Sequence, residues 1–227
     1  IGQYVVIDDL VDETVQRTQT FFQNRGFGHI RQYPVFCPSL RQALIATLTE
    51  EGCEHTDRGT YVCVEGPRHE TPAEARKYAV YGGEVLGQAL APELFLAREL
   101  QMCYASLCYV GRYAEDGTNY RPFEDGRALD VRQERERARS AVERIPRLLE
   151  RLSEILPHTP ALCACDSSMS AHVLRGELGD LRGLIRRPVL GPAVGDDFDG
   201  ALLDLGLEHL HLGLAQHLCV AVGWRPA

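Results

Sequence analysis

Short apolar runs of strand length alternate along this chain with segments of helical periodicity, and this alternation constrains the fold more than any other feature. The predicted strands are residues 4–7, 59–64, 85–86 and 103–110, and the predicted helices are residues 40–51, 71–82, 92–100 and 131–155. Residues 12–36 are predicted to form a long loop, because Gly26 and Gly28 break any period. Alternating strands and helices indicate an α/β fold with a layered sheet.

The predicted helix at residue 71 has the most specific start signal. Thr71 is a capping residue, Pro72 occupies the first helical position, and Glu74 follows three residues after the cap. This combination is typical of a capping box, which satisfies the free N–H groups at a helix start.

The 227 residues are predicted to form one large domain, residues 1–190, followed by an appendage, residues 191–227. The appendage is expected to be a linker rich in Pro, Gly and Asp, followed by a Leu-rich docking helix over residues 201–224. That predicted helix carries three histidines, His209, His211 and His217. A metal site there is the less favoured alternative, because no set of carboxylates and cysteines accompanies them.

Charge and hydropathy narrow the classes of partner. A net charge of −8 disfavours binding to nucleic acid, since no global positive field would attract phosphates. No apolar run approaches the ~20 residues that a membrane-spanning helix needs, and the first four residues lack the features of a signal peptide. We therefore expect a cytoplasmic protein without a membrane segment.

The chain has eight cysteines, and we expect them to be buried free thiols. Only the motif Cys163-Ala164-Cys165 suggests more. It leaves open a labile disulfide or a pair of metal ligands, but the spacing is too short for a zinc ribbon and no second pair stands at finger spacing. We predict no metal site.

Residues 60–74 and 92–99 closely resemble the nucleoside phosphorylase family, and within it the 5′-methylthioadenosine phosphorylases. Further stretches agree in order and spacing. They are Val5-Val6-Ile7-Asp8 with Arg17, Thr20-Phe21-Phe22, residues 34–38, and Cys163-Ala164-Cys165 shortly before Arg175-Gly176. The resemblance implies an αβα sandwich around a mixed sheet, assembled as trimers or hexamers. It also implies phosphorolysis of a purine nucleoside to a free base and a pentose 1-phosphate, with inorganic phosphate as co-substrate and no cofactor.

Several substrate positions implied by the resemblance are altered here. His69 stands where the family has an aromatic Phe that stacks on the base, and Glu70 stands where several members bind the base edge. Gln88-Ala89 replaces Met-Thr at the sugar and phosphate, so a hydroxyl is lost.

At the turn after residues 103–110, Gly111-Arg112 replaces Thr followed by Asp or Asn, the residue that bonds purine N7. A guanidinium cannot act as a general acid at neutral pH, although it donates hydrogen bonds to a leaving anion. His29 matches the histidine that reaches a neighbouring subunit's sugar pocket.

The family pattern also contains a preceding half with a Gly-rich phosphate loop, which we expect this chain to lack. That half would then be missing, cleaved or supplied by another chain in a heteromer, and a partial sheet would leave an open strand edge. Two hypotheses follow. The chain is either a pentosyltransferase in which Arg112 stabilises the leaving base, or a catalytically degenerate subunit that binds a nucleoside or supports a competent partner.

Overall fold

The computed structural model describes residues 1–22, 30–114, 131–159, 162–177 and 219–224. The strands are β1 (Tyr4–Val6), β2 (Asp9–Asp12), β3 (His55–Thr56), β4 (Thr60–Cys63), β5 (Val85–Gly87), β6 (Cys103–Tyr109) and β7 (Cys219–Trp224). The helices are α1 (Pro38–Glu50), α2 (Pro72–Val80), α3 (Glu93–Glu99), α4 (Val131–Ile155) and α5 (Ser170–Leu174). Two short 3₁₀ turns, Leu156–His158 and Cys165–Ser167, follow α4.

The described strands form two sheets. The first has the order β3-β1-β6-β7 and is mixed, because β1 runs parallel to β3 and antiparallel to β6. The second has the order β2-β4-β5 and is parallel throughout. Strands, helices and the mixed sheet confirm the predicted α/β class. Strands β2 and β3 were not predicted from the sequence.

Helices α1 and α4 pack on the four-stranded sheet, and each buries one apolar face. Their buried side chains are Leu40, Ala43, Leu44 and Leu48 of α1, and Ala141, Ile145, Leu148 and Leu152 of α4. The opposite face of α4 is exposed and charged, as in the ion pair of Arg139 with Glu143. Among the described residues, no helix is both long enough and apolar enough to cross a membrane.

The end of the chain corrects one prediction. Residues 219–224 lie within the predicted docking helix, yet they form strand β7, which pairs antiparallel with β6 from Cys103↔Trp224 to Cys108↔Cys219. The Leu-rich pattern misled the prediction, because the last residues switch to Val-Ala-Val, which favours a strand. Strand β7 covers one edge of β6. The three tail histidines and the predicted boundary at residue 190 lie outside the described residues.

The cysteines confirm the prediction of free thiols at six positions and contradict it at one. Cys37, Cys53, Cys63, Cys103, Cys163 and Cys165 are free. Cys108 is disulfide-bonded, and the residue in register with it on β7 is Cys219. This disulfide was not predicted, since β7 was not expected to lie beside β6.

Candidate functional site

The candidate site lies where the segments that follow β4 and β6 meet. Glu70 comes from the segment after β4, and Arg112 comes directly after β6. The guanidinium of Arg112 binds the carboxylate of Glu70 with two parallel hydrogen bonds, Nη1 to Oε1 at 3.0 Å and Nη2 to Oε2 at 2.8 Å. The structure thus brings together two of the predicted substrate positions, which are far apart in the sequence.

This ion pair is largely removed from water. The side chain of Glu70 is 4% exposed and that of Arg112 is 21% exposed. A buried carboxylate needs a cation and hydrogen-bond donors, and the planar guanidinium supplies both in the geometry that a carboxylate accepts. Arg112 Nε is also buried and, among the described residues, has no hydrogen-bond partner.

A capping box fixes the segment that carries Glu70. Helix α2 begins immediately after it, and Thr71 Oγ1 accepts a hydrogen bond from the backbone N–H of Glu74. The Glu74 carboxylate accepts one in return from the backbone N–H of Thr71 at 2.8 Å. Arg68 binds the same carboxylate through two N–H groups, and these bonds are the main reason that the pKa of Glu74 falls to about 2. The predicted capping box is confirmed.

Arg17 joins the ends of β4 and β5. Its guanidinium donates to the carbonyls of Val64 and Glu65 after β4, at 3.3 and 3.2 Å. It also donates to the carbonyls of Gln88 and Ala91 after β5, at 2.8 and 2.6 Å. Sequence reasoning placed Arg17 in the family motif but did not predict this positioning role.

The predicted residues Gln88 and Ala89 lie beside the segment after β4. The Gln88 side chain contacts Gly66, where an added Cβ would overlap the Gln88 amide. The backbone of Ala89 is fixed by β4, because its N–H donates to Tyr61 Oη and its carbonyl accepts from the Cys63 thiol at 2.7 Å.

The remaining predicted positions are less informative. His69 is exposed beside Glu70, Gly111 is half-buried between β6 and Arg112, and His29 lies outside the described residues.

A second cluster of reactive side chains lies elsewhere. The Sγ atoms of Cys37, Cys103, Cys163 and Cys165, which we call the thiol cluster, all lie within 4.8 Å of one another. Hydrogen bonds from the other thiols, that of Cys165 foremost, lower the pKa of Cys37 to about 5. Sequence reasoning considered only Cys163 and Cys165. Cys37 and Cys103 were missed because nothing in their local sequence marks them.

The sequence comparisons identify the family. A profile described as the phosphorylase superfamily matches residues 1–154. The chain belongs to this superfamily. It is 43% identical over 120 residues to a 6-oxopurine nucleoside phosphorylase from Pyrococcus furiosus, which covers 50% of this chain and 45% of the relative. It is 36% identical over 176 residues to an S-methyl-5′-thioadenosine phosphorylase from Hyperthermus butylicus, which covers 76% of this chain and 61% of the relative.

The solved structures agree on the fold. A mutant adenosine/methylthioadenosine phosphorylase from Schistosoma mansoni in complex with methylthioadenosine matches with a TM-score of 0.64 and 21% identity, over 77% of this chain and 64% of that one. The predicted resemblance and the nucleoside phosphorylase fold are thus confirmed. The chain spans 45% and 61% of the lengths of the two curated relatives above. The oligomeric state and the cellular location stay predictions.

Proposed function

We propose that this chain forms the base-binding side of a purine nucleoside phosphorylase, a pentosyltransferase. The observation that carries the proposal is the buried ion pair of Glu70 with Arg112. These residues occupy the two positions where the family resemblance places contacts to the purine, and the structure brings them together at the ends of neighbouring segments. Inorganic phosphate is the co-substrate in this proposal, and no cofactor takes part.

The proposed reaction does not require Arg112 to act as a general acid. A phosphate oxygen attacks the anomeric carbon, the bond from that carbon to the base nitrogen breaks, and its electron pair moves to the base. Negative charge grows on the departing purine, and a fixed cation aimed at it stabilises the transition state. In this proposal the guanidinium of Arg112 supplies that charge and hydrogen bonds, while the proton for the base comes from water.

The pair also has consequences for the choice of base. The family resemblance predicts a 5′-methylthioadenosine-type substrate, but the donors and acceptors favour a 6-oxopurine. A 6-oxopurine presents O6 and N7 as acceptors for the guanidinium of Arg112, and its N1–H is a donor for the carboxylate of Glu70. A 6-aminopurine presents an unprotonated N1 to the same carboxylate. An ionised carboxylate only accepts hydrogen bonds, so Glu70 and this N1 form no hydrogen bond with each other.

A nucleoside-binding subunit without catalysis is the second candidate. Two observations favour it. Ala89 lacks the hydroxyl that the family resemblance places near phosphate, and Glu70 and Arg112 already bind each other through two hydrogen bonds. In this case the chain would bind a nucleoside, or complete a trimer, hexamer or heteromer whose partner carries out the reaction.

A phosphate-dependent assay of base release from the full gene product tests the proposal. Inosine, guanosine, adenosine and methylthioadenosine are offered with and without phosphate. We expect release only with phosphate and faster release from inosine and guanosine. Arg112→Ala should lower kcat about 100-fold or more and change KM much less, as losing one preorganised donor does.

The matched control is Arg139→Ala, which removes an arginine from an exposed ion pair on α4 and should leave the rates unchanged. Calorimetric binding of inosine by a folded protein that releases no base would support the non-catalytic candidate. Failure to bind or cleave any of the four nucleosides would contradict both the enzyme and the nucleoside-binding subunit.

A further inference from the structure

The thiol cluster draws its four side chains from separate parts of the fold. Cys37 is the residue immediately before α1, and Cys103 is the first residue of β6. Cys163 follows α4 along the chain, and Cys165 begins a 3₁₀ turn. Side chains this far apart in the sequence meet only because the fold brings them to one place. Such convergence of one residue type is what a metal site requires.

The distances fit a tetrahedral metal ion. Zinc binds thiolate sulfur at about 2.3 Å, so the four sulfurs of a tetrahedral site lie about 3.8 Å from one another. Here all four Sγ atoms lie within 4.8 Å of one another, and those of Cys103 and Cys163 are 3.6 Å apart. All four are free thiols.

The surroundings suit a closed structural site. Cys37, Cys103 and Cys165 are buried in the hydrophobic core, and Cys163 packs against it. Four thiolates around Zn²⁺ carry a net charge of −2, which needs nearby positive charge. Cys37 stands at the N-terminus of the 13-residue helix α1, whose dipole favours negative charge. The half-buried guanidinium of Arg98 is close enough to interact electrostatically with Cys165 and Cys37.

We propose that Cys37, Cys103, Cys163 and Cys165 bind one Zn²⁺ ion in a tetrahedral site made only of thiolates. Four Zn–S bonds form, the thiol protons leave to solvent, and no group is oxidised or reduced. Four protein ligands leave no open position for a substrate, so the ion is structural. The proposal reverses the sequence prediction of no metal site, which considered only the Cys163-Ala164-Cys165 motif and the three histidines of the tail.

The ion would fasten residues 162–174 to the sheet. Apart from the cysteines, this segment is held by Met169, which is buried against Phe22 and Ile30, and by polar contacts. The backbone N–H of Leu162 donates to Ser39 Oγ at 2.8 Å, and Ser168 Oγ donates to the carbonyl of Arg98 at 2.6 Å. Helix α5 within it has only five residues. A short helix gains little stability by itself, so a metal anchor would supply what propensity cannot.

Metal analysis of the full chain tests the proposal without any assay of activity. The protein is produced in zinc-supplemented medium and purified with a thiol reductant and no chelator. Elemental mass spectrometry should find about one zinc ion per chain. The double variant Cys163→Ser/Cys165→Ser should lose that zinc. Cys53→Ser is the matched control, because Cys53 is a buried free thiol of the same core outside the thiol cluster, and this variant should retain it.

Cobalt provides a measurement that needs no variant. Zinc is removed from the reduced wild-type chain with a chelator, and Co²⁺ is titrated in. We expect the intense visible bands of tetrahedral cobalt and the charge-transfer bands of thiolate ligands. Three results would overturn the proposal: no such bands, zinc retained by the double variant, or disulfides among the four cysteines in protein purified with the thiol reductant. Bound iron in place of zinc would also overturn it. None of these outcomes depends on whether the chain cleaves nucleosides.

Discussion

Removing Arg112 should destabilise the fold, because the buried carboxylate of Glu70 loses the guanidinium that balances its charge. That carboxylate is 4% exposed and loses hydrogen bonds of 3.0 and 2.8 Å. Breaking a buried ion pair by removing one partner typically costs about 3–5 kcal/mol. Arg112 itself is 21% exposed, so its removal admits some water, and we expect Arg112→Ala to cost about 3 kcal/mol, at the lower end.

Urea denaturation measures this cost. With an m value of about 2 kcal/mol per molar urea, the midpoint should fall by about 1.5 M. The double variant Glu70→Leu/Arg112→Met, which replaces both charges by apolar groups of similar volume, should recover most of the loss. Arg139→Ala on α4 should change the midpoint little, because exposed ion pairs contribute about 0–1 kcal/mol. A loss no larger for Arg112→Ala than for Arg139→Ala would refute the burial argument.

Three further predictions concern the frame around the site. The hydrogen bonds from Arg68 lower the pKa of Glu74 from 4.5 to about 2, so their stabilisation is present above about pH 4.5 and is lost as the pH falls towards 2. In Glu74→Gln the urea midpoint should therefore depend less on pH across that window. A pH profile equal to that of the wild type would contradict this. Arg17→Lys should lower the free energy of unfolding in urea by about 2 kcal/mol, since lysine lacks the planar guanidinium that reaches the carbonyls after β4 and β5. An unchanged free energy of unfolding would contradict the positioning role of Arg17. Gly87→Ala should cost about 1–3 kcal/mol because its Cβ meets the hydroxyl of Tyr61, and adding Tyr61→Phe should relieve part of the loss if the overlap is the cause.

The sequence predicts those elements whose signals are local. Strands β4 and β6 are continuous apolar runs, and the start of α2 is marked by a capping box. Strand β2 has only four residues with an aspartate at each end, and β3 has two, so neither shows a recognisable pattern. Both exist because a neighbouring strand pairs with them, which is tertiary information.

The candidate site is likewise predictable from the sequence only in part. Family motifs pointed to Glu70 and Arg112 separately, but not to the ion pair between them. The Cys163-Ala164-Cys165 motif suggested half of the thiol cluster, whereas Cys37 and Cys103 stand alone in the sequence. Contacts of this kind depend on the path of the whole chain, so they cannot be predicted from a single sequence without the fold.

Strand β6 connects the two sites and explains how they can act independently. It begins at Cys103 in the thiol cluster and ends at Tyr109, three residues before Arg112, and its length is about 20 Å at the usual rise of a strand. All seven of its residues are buried, and it is hydrogen-bonded to β1 on one edge and β7 on the other. A guanidinium that binds a purine edge, as proposed for Arg112, needs a rigid support, and a buried strand with a neighbour on each edge provides one. An anchor at the start of β6 would thus hold the frame without touching the chemistry at its far end.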